Sequence, residues 1–153
     1  MNGIEYFKFE EDFIEENVRC IPMIVRFKMD LAGIKLKLVE WSKFNINERK
    51  ALVLKPCSRD NGAREYKSYL MDLVKKYTGN EATEMTVDKN PAWDNEDVIP
   101  TIFDEKAKEF DWQISIEKWK SLTQLQRFAL LKLCRPGHEN KNFPKAMKEF
   151  KLI

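Results

Sequence analysis

Glycine, histidine and net charge are scarce in this 153-residue chain. Its five glycines form no phosphate-cradling loop, and neither a GxSxG nucleophile turn nor an HExxH metal helix occurs. There is one histidine, His138, so a metal site would lack most of the partners it needs. Cys20, Cys57 and Cys134 are widely separated, with no CxxC pair and no cysteine–histidine zinc spacing. Each has apolar neighbours on at least one side and reads as a small core residue in a reducing cytoplasm. Cys134 and His138 stand four apart, but Pro136 and Gly137 turn the chain between them, which argues against a paired nucleophile. These absences predict no catalytic residue, no metal site and no cofactor.

Charge of one sign is also missing. The chain carries 27 Lys plus Arg against 25 Asp plus Glu, interleaved throughout, for a net of +2. Without a concentrated basic patch, neither nucleic acid nor an acidic membrane is an expected partner. The most apolar stretch, IPMIVRFKMDLAGI, is interrupted by Arg26, Lys28 and Asp30 and is too short to span a bilayer. The amino terminus is acidic and lacks an apolar run of signal length, so a cytoplasmic protein is expected. The length suits a single domain with its own core.

Helical spacing dominates what is present. Residues 9–18 form a short acidic amphipathic segment with Phe9, Phe13 and Ile14 on one side. A helix is predicted from Pro22 at its first position to about Ala32, ended by Gly33. Its apolar residues are too dense for one stripe, which places it at the centre of the core. Residues 34–38 alternate apolar and basic and read as an extended connector. Asn45 with Glu48 forms a capping pair for a helix over 46–55, stopped by Pro56. A further helix carries Ala63, Tyr66, Leu70, Leu73, Val74 and Tyr77 and closes at Gly79.

Residues 80–98 show no sustained period, and a connection of that length is usually functional or mobile. Trp93 within it is either a binding aromatic or a plug that fixes the loop to the core. Later helices are predicted over 99–110, with Ile99, Ile102, Phe103, Ala107 and Phe110 inward, over 123–134, and from Phe143 or Pro144 to Phe150.

The chain also resembles itself at an offset of 78. Ile21-Pro22, Ile24, Lys28, Trp41, Arg49 and Ala51-Leu52 recur as Ile99-Pro100, Ile102, Lys106, Trp119, Arg127 and Ala129-Leu130. These eight identities fall between positions 21 and 52, where random composition gives about two. The capping pair recurs as Thr123 with Gln126. The expected architecture is all-α, about six to seven helices in one domain, built from two pseudo-symmetric hairpins over about 21–79 and 99–150 with the loop 80–98 between them.

The residues after Cys134 form a concentrated polar turn: Arg135, His138, Glu139, Asn140, Lys141 and Asn142 around Pro136-Gly137. Such side chains can satisfy the orphan groups between two helices, or present a rigid surface to a partner or anionic ligand. Both uses stay open.

RCIPMIVRFKMDLAGIKLKLVEW (19–41), NPAW (90–93) and LTQLQRFALLKLCRPGHENKNF (122–143), with the opening FKFEEDF, resemble the small nitrate reductase-associated proteins best known from cyanobacteria. The resemblance covers almost the whole chain. It implies an accessory or maturation protein that supports assimilatory nitrate reductase, a molybdoenzyme, by protein–protein interaction and is not itself the catalyst. The expected partner is the reductase or its maturation machinery. The matched positions Arg19, Arg26, Trp93, Arg135, His138, Glu139, Asn140 and Asn142 are the candidate partner- or ligand-binding residues. The alternative is a helical domain of an unrelated pathway that binds a small ligand or cofactor.

Overall fold

The computed structural model describes residues 7–10, 21–136 and 141–153. Most of the expected segment 9–18, and Arg19, Cys20, Gly137, His138, Glu139 and Asn140, lie outside the described residues. Helix makes up 60% of the described residues, against one two-stranded sheet, so the fold is all-α. The chain divides into two compact units, Met1–Asp88 and Lys89–Ile153.

The first unit is built around helix α1, Met23–Ala32. Pro22 is its N-cap, one position earlier than expected, and the Pro22 carbonyl accepts from the amides of Val25 and Arg26 at 3.0 and 3.1 Å. The amino-terminal 3-10 turn, Lys8–Glu10, supplies a second anchor. The buried Glu10 carboxylate accepts from the Met23 amide at 2.7 Å and the Phe7 amide at 3.1 Å, placing negative charge at the positive end of α1. No residue of α1 is exposed, as the dense apolar pattern requires. Gly33 ends it at φ +79°, a conformation that favours glycine, and a Cβ there would crowd the Met85 carbonyl and the Val87 side chain at 3.0 Å each.

The connector is shorter than expected. Only β1, Ile34–Lys35, is extended, pairing antiparallel with β2, Thr83–Glu84, and a helix α2, Leu38–Lys43, follows. That helix is too short for its apolar period to be read in sequence. Its side chain Glu40 accepts from the Lys37 amide at 2.7 Å, and it buries Trp41. Helix α3, Ile46–Leu54, carries the expected capping box: the Glu48 amide donates to Asn45 Oδ1 and the Asn45 amide to Glu48 Oε1, both at 2.8 Å.

At the other end of α3 the orphan carbonyls are met by side chains from elsewhere. Tyr66 donates to the Leu52 carbonyl at 2.7 Å, and Lys28 Nζ to those of Val53 and Lys55 at 2.6 Å each. Helix α4, Ala63–Thr78, presents Tyr66, Leu70, Leu73 and Val74 to the core shared with α1.

The second unit opens with a 3-10 turn, Ala92–Asp94, followed by α5, Thr101–Lys108, α6, Ile116–Ser121, α7, Gln124–Leu133, and α8, Phe143–Glu149. Its core is aromatic. Phe103 lies 5.1 Å from Trp119 and 6.0 Å from Phe143, ring centre to ring centre. The apolar face expected on α5 is narrower than the spacing suggested. Phe103 and Ala107 are buried, but Ile102 is 45% and Phe110 38% exposed. The helix ends at Lys108, so Phe110 lies beyond it and stacks on Trp112 at 4.7 Å.

Several elements of the two units recur at the interval of 78 seen in the sequence. Leu38–Lys43 and Ile116–Ser121 match at both ends, and Ile46–Leu54 and Gln124–Leu133 match at their starts. In each unit an arginine lies over the tryptophan eight residues before it, Arg49 at 5.7 Å from Trp41 and Arg127 at 6.0 Å from Trp119. The third helices differ, with 16 residues in α4 and seven in α8.

Candidate functional site

The loop that enters the second unit is fixed to it by three side chains. Arg127, only 4% exposed, donates from Nε to the Trp93 carbonyl at 2.7 Å. Trp119 donates from its indole N–H to the Asn95 carbonyl at 3.1 Å, and Gln124 donates to Asp94 Oδ1 at 2.6 Å. Trp93 is itself buried, its ring edge-on to Phe128 at 6.4 Å. Its place is that of the plug, not of an exposed binding aromatic.

So anchored, the loop encloses a cleft of about 400 Å³ lined by residues 90–92, Asp94, Asn95, Val98 and Pro100. Its lining is mixed polar and apolar. Val98, 57% exposed, gives it apolar surface, and Glu96 and Asp97 are exposed on the same loop. Asp97 pairs with Lys120 at 3.2 Å, both largely in solvent. The sequence signal for this cleft was the length of 80–98 without a period; its lining residues were not among those singled out, apart from the NPAW string that runs through it.

The other candidates fall into separate places. Arg26, in the first unit, donates from Nε to the Ile21 carbonyl at 2.8 Å and so ties down the segment entering its own helix. Arg135 is exposed, two residues past the end of α7. Asn142 is buried at the foot of α8, and its Oδ1 meets no donor among the described residues. Arg19, His138, Glu139 and Asn140 lie outside the described residues.

Neither described thiol is activated. Burial pushes Cys134 up to about 12, with Glu109 adding to the rise and Lys106 opposing it, and burial pushes Cys57 up to about 11 against the pull of Lys28. A nucleophilic cysteine needs the opposite shift. Among the described residues no group of three or more His, Cys, Asp or Glu side chains could hold a metal ion, and no helix is long and apolar enough to cross a membrane.

The class defined by this fold is an all-α protein of two units with an open, half-polar cleft on the second. The chain belongs to the conserved nitrate reductase-associated protein family, whose model matches residues 6–150. No curated protein and no solved structure shows significant similarity to it.

Proposed function

We propose that this chain is a non-catalytic accessory protein of assimilatory nitrate reductase, acting in the cytoplasm on the enzyme or its maturation machinery through protein–protein contact. The observation that carries this reading is the family match across residues 6–150. The raised thiols Cys57 and Cys134 support it, since they speak against covalent catalysis by either. We further propose that the two units descend from a duplicated helical hairpin, a reading supported by the matching bounds of α2 and α6 and by the Arg49–Trp41 and Arg127–Trp119 pairs.

The test is genetic and biochemical together. A tagged chain expressed from its own locus in nitrate-grown cells should co-purify with the reductase, and its deletion should lower reductase activity until the chain is restored. Failure to co-purify during assembly, with activity unchanged in the deletion, would overturn the reading.

A further inference from the structure

Asn61 stands immediately before Gly62 in the turn between α3 and α4. An asparagine in that place is open to attack on its side-chain amide carbon by the following backbone nitrogen, because glycine has no side chain to hinder the approach. Here both reacting groups are free. Among the described residues neither the Asn61 side-chain amide nor the Gly62 N–H makes a hydrogen bond. Asn61 is exposed, and a cleft of about 250 Å³ lined by Lys55, Pro56, Asn61, Gly62, Glu65 and Tyr66 admits water beside it. Other asparagines are engaged: Asn45 Oδ1 accepts from the Glu48 amide at 2.8 Å and Asn95 Oδ1 from the Asp97 amide at 3.0 Å, and neither precedes a glycine.

We propose that Asn61 is a spontaneous modification site, at which the folded chain converts with age to aspartate and isoaspartate. The Gly62 nitrogen bonds to the Asn61 side-chain carbon, the bond from that carbon to the amide nitrogen breaks, and the proton from Gly62 leaves with it as ammonia. Water then opens the cyclic imide. Cleavage at the side-chain carbon gives aspartate; cleavage at the main-chain carbonyl gives isoaspartate, with one more carbon in the backbone. No oxidant, metal or enzyme is needed.

The isoaspartyl product falls where the turn has least room. The Asn61 carbonyl accepts from the Ser58 amide at 2.8 Å, and the Asn61 amide donates to Ser58 Oγ at 3.1 Å. Gly62, at φ +85°, lies hard against Pro56, and its carbonyl accepts the first bond of α4 from the Tyr66 amide at 2.8 Å. An added backbone carbon breaks the Ser58 pairing and shifts the start of α4. Tyr66, whose phenol closes the end of α3, moves with it.

The test incubates the freshly purified full chain in mildly alkaline buffer at physiological temperature and follows the tryptic peptide 60–64, bounded by Arg59 and Arg64, by chromatography and mass spectrometry. Aspartyl and isoaspartyl forms should accumulate at close to the rate of the same synthetic peptide, while Asn45 and Asn95 stay intact. The rate should rise by up to about tenfold per pH unit, since the attacking nitrogen must lose its proton. An Asn61 that stays intact in the folded chain while the free peptide converts, or that converts no faster than Asn45, would overturn the assignment. Aged wild type should unfold at lower urea than fresh wild type, and aged Asn61→Gln should match its own fresh sample, because the longer side chain closes the ring poorly. That pair also controls for Asn2-Gly3, which lies outside the described residues. An unchanged midpoint in fully converted wild type would overturn the structural consequence drawn for α4.

Discussion

Replacing Arg127 by methionine should destabilise the second unit by about 3 kcal/mol, an amount set by the carbonyls it leaves behind. The guanidinium is 4% exposed and donates to the Trp93 carbonyl at 2.7 Å and the Leu122 carbonyl at 2.5 Å, with the Trp119 carbonyl further off at 3.5 Å. Methionine retains most of the apolar stem and removes every donor. Two well-formed charge-assisted bonds are worth roughly 3–6 kcal/mol together, and part returns because a cation no longer has to be stripped of water. With a urea slope of about 2 kcal/mol/M, the midpoint should fall by about 1.5 M.

Arg49 provides the internal comparison. It reaches the Ser42 carbonyl at 2.9 Å in an exposed setting and the Trp41 carbonyl at 3.4 Å, so Arg49→Met should cost no more than about 1 kcal/mol. Urea titrations followed by circular dichroism and tryptophan fluorescence measure both. A cost for Arg127→Met equal to that for Arg49→Met would refute the reasoning that the buried cation organises the unit.

Gly62→Ala should be more damaging than Gly79→Ala in thermal unfolding, because both glycines have positive φ (+85° and +74°), but a Cβ at Gly62 would collide with the Pro56 carbonyl whereas at Gly79 it meets open space. Tyr66→Phe should cost about 1–2 kcal/mol by leaving the Leu52 carbonyl without the phenol that now donates at 2.7 Å, measured by denaturant titration. Thr123→Ala should lower stability by about 1 kcal/mol through loss of the bond from the Gln126 amide, and Thr123→Ser should restore most of it. Iodoacetamide should label Cys57 and Cys134 far more slowly in the native than in the urea-unfolded chain, as thiols raised to about 11 and about 12 require. Because the folded state holds these protons more tightly, their contribution to stability is fully present below the ordinary thiol value of 9.0 and is lost as pH rises through 11 and then 12. A stability that rose with pH across that window would contradict the sign.

What could be read in advance followed local chemistry. Asn45 with Glu48 and Thr123 with Gln126 announce helix starts because the interacting atoms are three residues apart and need no other part of the molecule. Gly33 and Gly79 announce helix ends for the same reason. Helices α2 and α6 were missed because six residues are too few to display a period. The length of the loop 80–98 marked it as unusual, but its cleft could not be drawn from composition, since the clamps on it come from Trp119, Gln124 and Arg127.

The sequence by itself determined an all-α protein, the caps of its main helices, an interval of 78 running through both halves, and the family to which the chain belongs. Tertiary structure alone decided that Glu10 caps α1, that Lys28 and Tyr66 close the end of α3, and that Arg127 carries the Trp93 loop. Caps and periodicity are local, and a chain fixes them through neighbours a few bonds away. A buried charge has a place only where distant carbonyls or amides are brought together to satisfy it, and that depends on the packing of the whole unit.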